Sequence, residues 1–302
     1  MSTLHSDTNS VVVSVGVQCH VGKARTENQD RVTRSSTPFG DMFVVADGVG
    51  GYQGGGEAAQ ATIDGFSSLL NQIGNMPLHD ALQKAANAIS ADLRSRSAAN
   101  PALRGMGSTV VVCIVKGNRA TYAHAGDSRV YLLRHGALRQ LTRDHSVMER
   151  MVSSGILTPD QARDHPDASV LTQALGQDGE IALDINEVTL QPDDALLLCS
   201  DGLWAYARHQ EMEAIASSPG LSPSAVASAL VNLALEGGGG DNVSIQFLRF
   251  TARNAPSARR FGRIAMPQKK LLAAAGVALL LAAATVGLFL WNRAHFPSPG
   301  NV

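Results

Sequence analysis

Residues 42–59 read MFVVADGVGGYQGGGEAA, and residues 195–204 read ALLLCSDGLW. Each starts as a short apolar run of the kind that forms a buried strand and ends on an aspartate followed by glycine: Asp47-Gly48 and Asp201-Gly202. Two more aspartates share that setting. Asp127 follows a strand-like run in AHAGDSR, and Asp241 closes the loop GGGG before NVSIQF. One Asp-Gly pair is by itself an ordinary turn signal. A carboxylate at the end of a buried run is costly to desolvate, and several converging carboxylates raise one another's pKa unless a positive charge joins them. Oxygen ligands without a local His/Cys cluster favour Mg²⁺ or Mn²⁺ over Zn²⁺, and glycine after the ligand lets a backbone carbonyl approach the ion.

Outward from these stretches, residues 11–18 read as a strand and 57–73 and 78–96 as helices. The run 108–136, with a turn signal at each junction, reads as an antiparallel meander. Short helices are expected at 146–154 and 158–164, a strand at 195–199 and a helix at 209–216. A second helix is expected at 223–235, capped by Ser222 with Pro223 at its first position, before a strand at 243–250. Helices and strands that segregate rather than alternate indicate an α+β fold with antiparallel sheets. The glycine-rich loop is not a dinucleotide fingerprint, because Gln53 stands at the third glycine of G-x-G-x-x-G.

The chain has 302 residues and a formal net charge of −1, a near-neutrality that hides a division. Residues 1–250 carry 18 basic and 26 acidic side chains; residues 251–302 carry seven basic ones and no acidic one. The body therefore has no surplus positive charge for nucleic acid, and the tail faces different surroundings. Residues 271–291, LLAAAGVALLLAAATVGLFLW, are uncharged and long enough to span a bilayer as a helix. Five basic residues between Arg259 and Lys270 precede them, which by the positive-inside rule keeps the body cytoplasmic at the inner membrane. The expected organisation is a disordered start (1–10), a domain (11–250), a basic linker (251–270), a transmembrane helix (271–291) and a short extracytoplasmic tail (292–302). Three widely spaced cysteines, Cys19, Cys113 and Cys199, fit a reducing compartment.

In order along the chain stand GKARTENQD (22–30), VVADGVGGYQGGGEAA (44–59), GSTVVVCIV (107–115), HAGDSRVYLLR (124–134), LTRDHS (141–146), VLTQALG (170–176), LLLCSDGLW (197–204) and GGDNVSIQF (239–247). This ordered set resembles the bacterial PP2C-type (PPM) metal-dependent protein serine/threonine phosphatases. The resemblance implies an αββα sandwich of two antiparallel sheets flanked by helices, with two metals at one end. It implies that Asp47 bridges both metals with the Gly48 carbonyl as a further ligand, that Asp201 and Asp241 complete the carboxylates, and that Asp30 belongs to the metal site as a carboxylate near the metal-bound waters, with Arg25, Asp30 and Asp47 as the catalytic residues. Asp127, with Asp201, matches a third and weaker metal position, and Arg25 matches the arginine that receives the substrate phosphate. The implied activity is hydrolysis of phosphoserine and phosphothreonine in proteins by a two-metal-activated water without a covalent intermediate, opposing a Hanks-type kinase at the membrane.

The chain departs from the family pattern in several places. Gln29 stands where many relatives have Glu, Val49 follows Asp47-Gly48 where eukaryotic members have His, and Tyr52 stands where bacterial members often have His. Ala168-Ser169 replaces a more polar pair in the variable flap, 145–176. The leaving-group acid is then open between water, His124 and His145. Two rival readings follow from the same residues. Cys19 to Thr26 satisfies C-x-x-G-x-x-R-[ST], the loop of cysteine-dependent phosphatases, but no sustained helix is expected after it. Gln29 and the missing histidine suggest a non-catalytic phosphoprotein-binding module, against which stands the complete aspartate set.

Overall fold

The computed structural model describes residues 11–50, 54–158, 161–162, 165, 167 and 170–252. All lie in the first of two compact units, Met1–Arg253; the second is Asn254–Val302. Residues 1–10, Tyr52, Ala168-Ser169, all but two residues of the 251–270 segment, the apolar span 271–291 and the tail 292–302 are outside the described residues. No helix among the described residues is long and apolar enough to cross a membrane.

Alternation along single strands builds the layers. In β3 (Gly40–Val49), Met42, Val44 and Ala46 face one core, whereas Phe43 and Val45 face another. The first core packs under α1 (Gly54–Gln72) and α2 (Leu78–Ala99) and includes Ile63, Phe66, Leu82 and Ile89. The second lies between two sheets, where Phe43, Val45, Val111 and Cys113 meet Leu196, Leu198, Leu248 and Phe250. The same alternation in β10 (Ala195–Cys199) turns Ala195, Leu197 and Cys199 toward a third core, under the C-terminal helices. Period-two burial on both faces of both sheets gives four layers, helix–sheet–sheet–helix.

One sheet holds β2 (Asp30–Thr37), β3, β5 (Val110–Lys116), β6 (Arg119–Ala125) and β9 (Asp184–Thr189), with the two-residue β4 (Gly107–Ser108) paired to β3. The other runs β1 (Val11–His20), β11 (Val243–Ala252), β10, β7 (Arg129–Arg134) and β8 (Ala137–Gln140). Their pairings are antiparallel. The remaining helices are α3 (Val147–Ser153), α4 (Asp201–Trp204), α5 (His209–Ala216) and α6 (Pro223–Glu236). Ser222 caps α6 by accepting from the Ala225 amide, and Thr158 and Gln161 exchange the reciprocal bonds of a capping box.

The meander expected over 108–136 is corrected. β5 and β6 pair, but the chain then leaves that sheet at Gly126-Asp127-Ser128, and β7 joins the other sheet beside β10. Alternation says which face of a strand is buried and not which sheet receives it, and sequential strands are neighbours only about two-thirds of the time. That crossing places Asp127 at the end of the sandwich, between the sheets.

Candidate active site

The register of β2 on β3 sets Asp30 directly opposite Asp47. Asp30 is 3% exposed; its Oδ2 accepts from the Ser200 hydroxyl at 2.7 Å, and its Oδ1 is buried without a hydrogen-bond partner. Ser200 belongs to the other sheet's side, where its hydroxyl also accepts from the Ser244 amide at 3.0 Å, so this bond ties the sheets together at the site. The Asp47 backbone is held by the Thr109 amide (2.8 Å) and the Ser108 hydroxyl (3.1 Å), both donating to its carbonyl. Asp201 begins α4 immediately after Ser200. Asp127 is 5% exposed, and its carbonyl accepts from Trp204 Nε1 at 3.0 Å.

Glycine after Asp47 and Asp201 has a packing cause. A Cβ at Gly48 would collide with the carbonyl of Gly55 at the start of α1, and one at Gly202 with the carbonyl of Asn242. Gly48 still lines the cleft.

That cleft, about 640 Å³, is lined by Arg25, Asp47, Gly48, Asp127, Asp201 and Asp241 among others. Asp30 stands behind its wall. Electrostatics confirm the convergence. Burial, then Asp30, Asp201, Asp127 and Asp241, push the Asp47 carboxyl well above the usual carboxylate range. Burial, then Asp127, Asp241 and Asp30, do the same to Asp201. Burial raises Asp30 to about 6 and Asp127 to about 7. Carboxylates that desolvate and repel one another, one with an orphaned oxygen, form an all-oxygen donor set that a hard divalent cation fits.

Asp241 differs from the rest. Arg25 grips it with both arms of the guanidinium, Nε to Oδ1 at 3.0 Å and Nη2 to Oδ2 at 2.8 Å. The arginine is 57% exposed at the mouth of the cleft. Residue-type patterns did not single out the brace behind it. Asn242 accepts from the Gln29 amide at 2.7 Å and donates to the carbonyls of Val21 and Glu27, each at 2.9 Å, fastening the loop that carries Arg25. Its signal was its place beside Asp241 in GGDNVSIQF.

The histidine candidates do not line the cleft. His124 and His145 stack with centroids 4.5 Å apart, and with Asp184 they form the one group of at least three His, Cys, Asp or Glu, among the described residues, whose ligand atoms all lie within 4.8 Å of one another. Their hydrogen bonds describe a brace instead. His145 Nδ1 accepts from the Gly126 amide (3.3 Å) and Gln173 (3.1 Å), which leaves its Nε2 proton for Asp184 at 3.2 Å. His124 Nε2 bonds the Arg143 carbonyl at 2.8 Å, and burial lowers this imidazole's pKa.

The cysteine-enzyme reading fails on geometry. Cys19 lies in β1 opposite Ser244, and turns rather than a helix follow it, so no helix N-terminus stands there to favour a nucleophilic thiolate.

A model of the protein phosphatase 2C family matches residues 20–232. The chain is 32% identical over 248 residues to protein phosphatase PhpP of Streptococcus pneumoniae, covering 80% of this chain and 100% of that one. It is also 32% identical over 232 residues to serine/threonine phosphatase stp of Listeria monocytogenes, covering 74% and 90%. The crystal structure of the catalytic domain of serine threonine protein phosphatase PstP in complex with two manganese ions superposes with a TM-score of 0.71 at 29% identity, over 80% of this chain and 100% of that one.

Proposed function

Since this chain belongs to the protein phosphatase 2C family and is a metal-dependent protein serine/threonine phosphatase, we propose that the cleft hydrolyses phosphoserine and phosphothreonine without a covalent intermediate. The observation that carries this reading is the convergence of Asp47, Asp127 and Asp201 on one cleft with Arg25 at its mouth. Asp47, Asp201 and Asp241, with the Gly48 carbonyl, would hold two Mn²⁺ or Mg²⁺ ions, and Asp127 with Asp201 a weaker third. Bound there, the ions supply an activated water nucleophile and neutralise charge on the phosphoryl group.

The chain's own residues do the rest. Arg25 presents a planar fork already shaped to a carboxylate, which is the geometry that receives two phosphate oxygens. Asp30, opposite Asp47 with Oδ2 held by Ser200 and Oδ1 without a partner, would act as proton acceptor from behind the cleft wall, through Asp47. No described histidine reaches the cleft, so the departing alkoxide takes its proton from solvent. The chemistry assigns no task to Cys19.

Turnover of a phosphothreonine peptide tests the reading. Activity should require Mn²⁺, vanish with chelator and with Asp47→Asn, and persist in Cys19→Ser. Chelator-insensitive turnover that Cys19→Ser abolishes would overturn it.

The location is part of the proposal. The uncharged span 271–291 and the five basic residues before it support a single-pass anchor at the inner membrane with the phosphatase domain on the cytoplasmic side. A Hanks-type kinase and its substrates there are the expected partners. The full chain should sediment with membranes and resist carbonate extraction, and a chain ending at 252 should not. Recovery of the full chain in the soluble fraction would refute the anchor.

A further inference from the structure

A second groove, about 710 Å³, opens beside the cleft. Val49 and Gln177 line both, so the two adjoin, with Val49 exposed between them. The far part of the groove is lined by Arg94 and Ser97 on α2 and by Arg104 after the turn that follows that helix. Arg94 Nη1 donates to the carbonyls of Gln177 (3.0 Å) and Gly179 (3.3 Å), which orders the opposite wall without neutralising the guanidinium. Arg104 is exposed, and among the described residues neither arginine has an acidic partner. Among the described residues, Asp178 is the single acidic side chain on the lining.

We propose that this groove holds the polypeptide segment next to the phosphorylated residue and selects segments bearing Asp or Glu. This rests on the reading of the neighbouring cleft as the phosphate-hydrolysing site. A phosphorylated side chain reaching Arg25 leaves its backbone at the mouth of the cleft, and the groove prolongs that mouth past Val49. Two unneutralised arginines against one aspartate favour an anionic segment. Such rim charges act mainly on encounter and register, so the selection falls on KM and weakens with salt.

The full chain with Mn²⁺ is assayed on phosphothreonine peptides carrying Asp, Ala or Lys at each flanking position, beside p-nitrophenyl phosphate. The Asp peptides should have roughly fivefold higher kcat/KM than the Lys peptides, mostly through KM, at low salt. Arg104→Glu should erase or reverse that preference, Asp178→Lys should enlarge it, and neither should change p-nitrophenyl phosphate turnover. Fluorescence anisotropy of labelled peptides, which needs no turnover, reads the groove separately. Tighter binding of the Asp peptides, removed by Arg104→Glu, supports the proposal; equal binding of Asp and Lys peptides, or a preference untouched by Arg104→Glu, overturns it. Failure on p-nitrophenyl phosphate alone would instead strike the phosphatase reading.

Discussion

Two sets of buried aspartates in this chain have opposite surroundings. Asp144 (9% exposed) is held by Arg129 through Nε at 2.9 Å and Nη2 at 2.6 Å, and Asp194 (2% exposed) by Arg134 at 3.0 and 2.7 Å. Arg129 also lies 3.6 Å over the Trp204 ring. Asp30 and Asp127 are as deeply buried, yet no cation of the chain forms a salt bridge with either among the described residues. Burial of charge is tolerated in the first set because an arginine completes it. In the second set no described cation pairs with the carboxyls, and burial drives them toward their protonated forms. A protein keeps such a cluster at a cost in stability where function needs a site for an external cation.

The same chemical change should therefore act with opposite sign in the two regions. Asp47→Asn is expected to lower turnover by at least about a hundredfold, since altering even groups around a metal ligand costs about 10–100-fold. It should also raise the melting temperature measured in chelator, because it removes a carboxyl whose ionisation burial and the neighbouring aspartates oppose. Asp144→Asn leaves the largely buried Arg129 without its carboxylate, and it should destabilise the fold by about 3 kcal/mol, roughly 6–12 °C in Tm, read by calorimetry. If both variants melt lower in chelator, the distinction between the regions is broken.

A smaller effect sharpens the comparison at Asp241, the one site carboxylate with an arginine partner. Asn242→Ala frees the loop that carries Arg25 and should raise KM for phosphopeptides roughly tenfold with little change in kcat. A fall in kcat at constant KM would mean that Asn242 acts on the aspartates instead.

The smallest effect is on pH dependence. Asp30 and Asp127 hold protons more tightly in the folded chain than in the unfolded one. In chelator the folded state therefore carries excess protons between pH about 4 and about 7, and stability falls as pH rises through that window. Saturating Mn²⁺ should flatten or reverse the slope in thermal melts. A chelated chain that gains stability from pH 4 to 7 would show that other carboxylates dominate.

Much of this site is legible in the sequence. Asp47 and Asp201 announced themselves by ending apolar runs, and Asp127 and Asp241 by their turns, because a charge beside a buried strand demands a reason. Asp30 and Arg25 lie in a polar loop with no such contrast, and only the family resemblance points to them. Ser200, Thr109 and Asn242 were not distinguishable, since their importance comes from partners more than 40 residues away in sequence. The edge strands β8 and β9 were missed for a related reason. DINEVT is largely exposed, so it carries little of the alternation that marks a half-buried strand. The crossing at Asp127 was hidden because β6 and β7 look alike in pattern and differ only in which sheet receives them.

Titration calorimetry of the full chain with Mn²⁺ at pH 6.5, repeated in buffers of different ionisation enthalpy, tests the central claim most directly. Burial and mutual repulsion push up the carboxyls of Asp47, Asp201 and Asp127, so binding of two Mn²⁺ ions there should release protons. Asp47→Asn should abolish the tighter binding together with turnover. Binding without proton release, or an Asp47→Asn variant that still binds two ions and hydrolyses phosphothreonine, would contradict the assignment of this cleft as the metal centre.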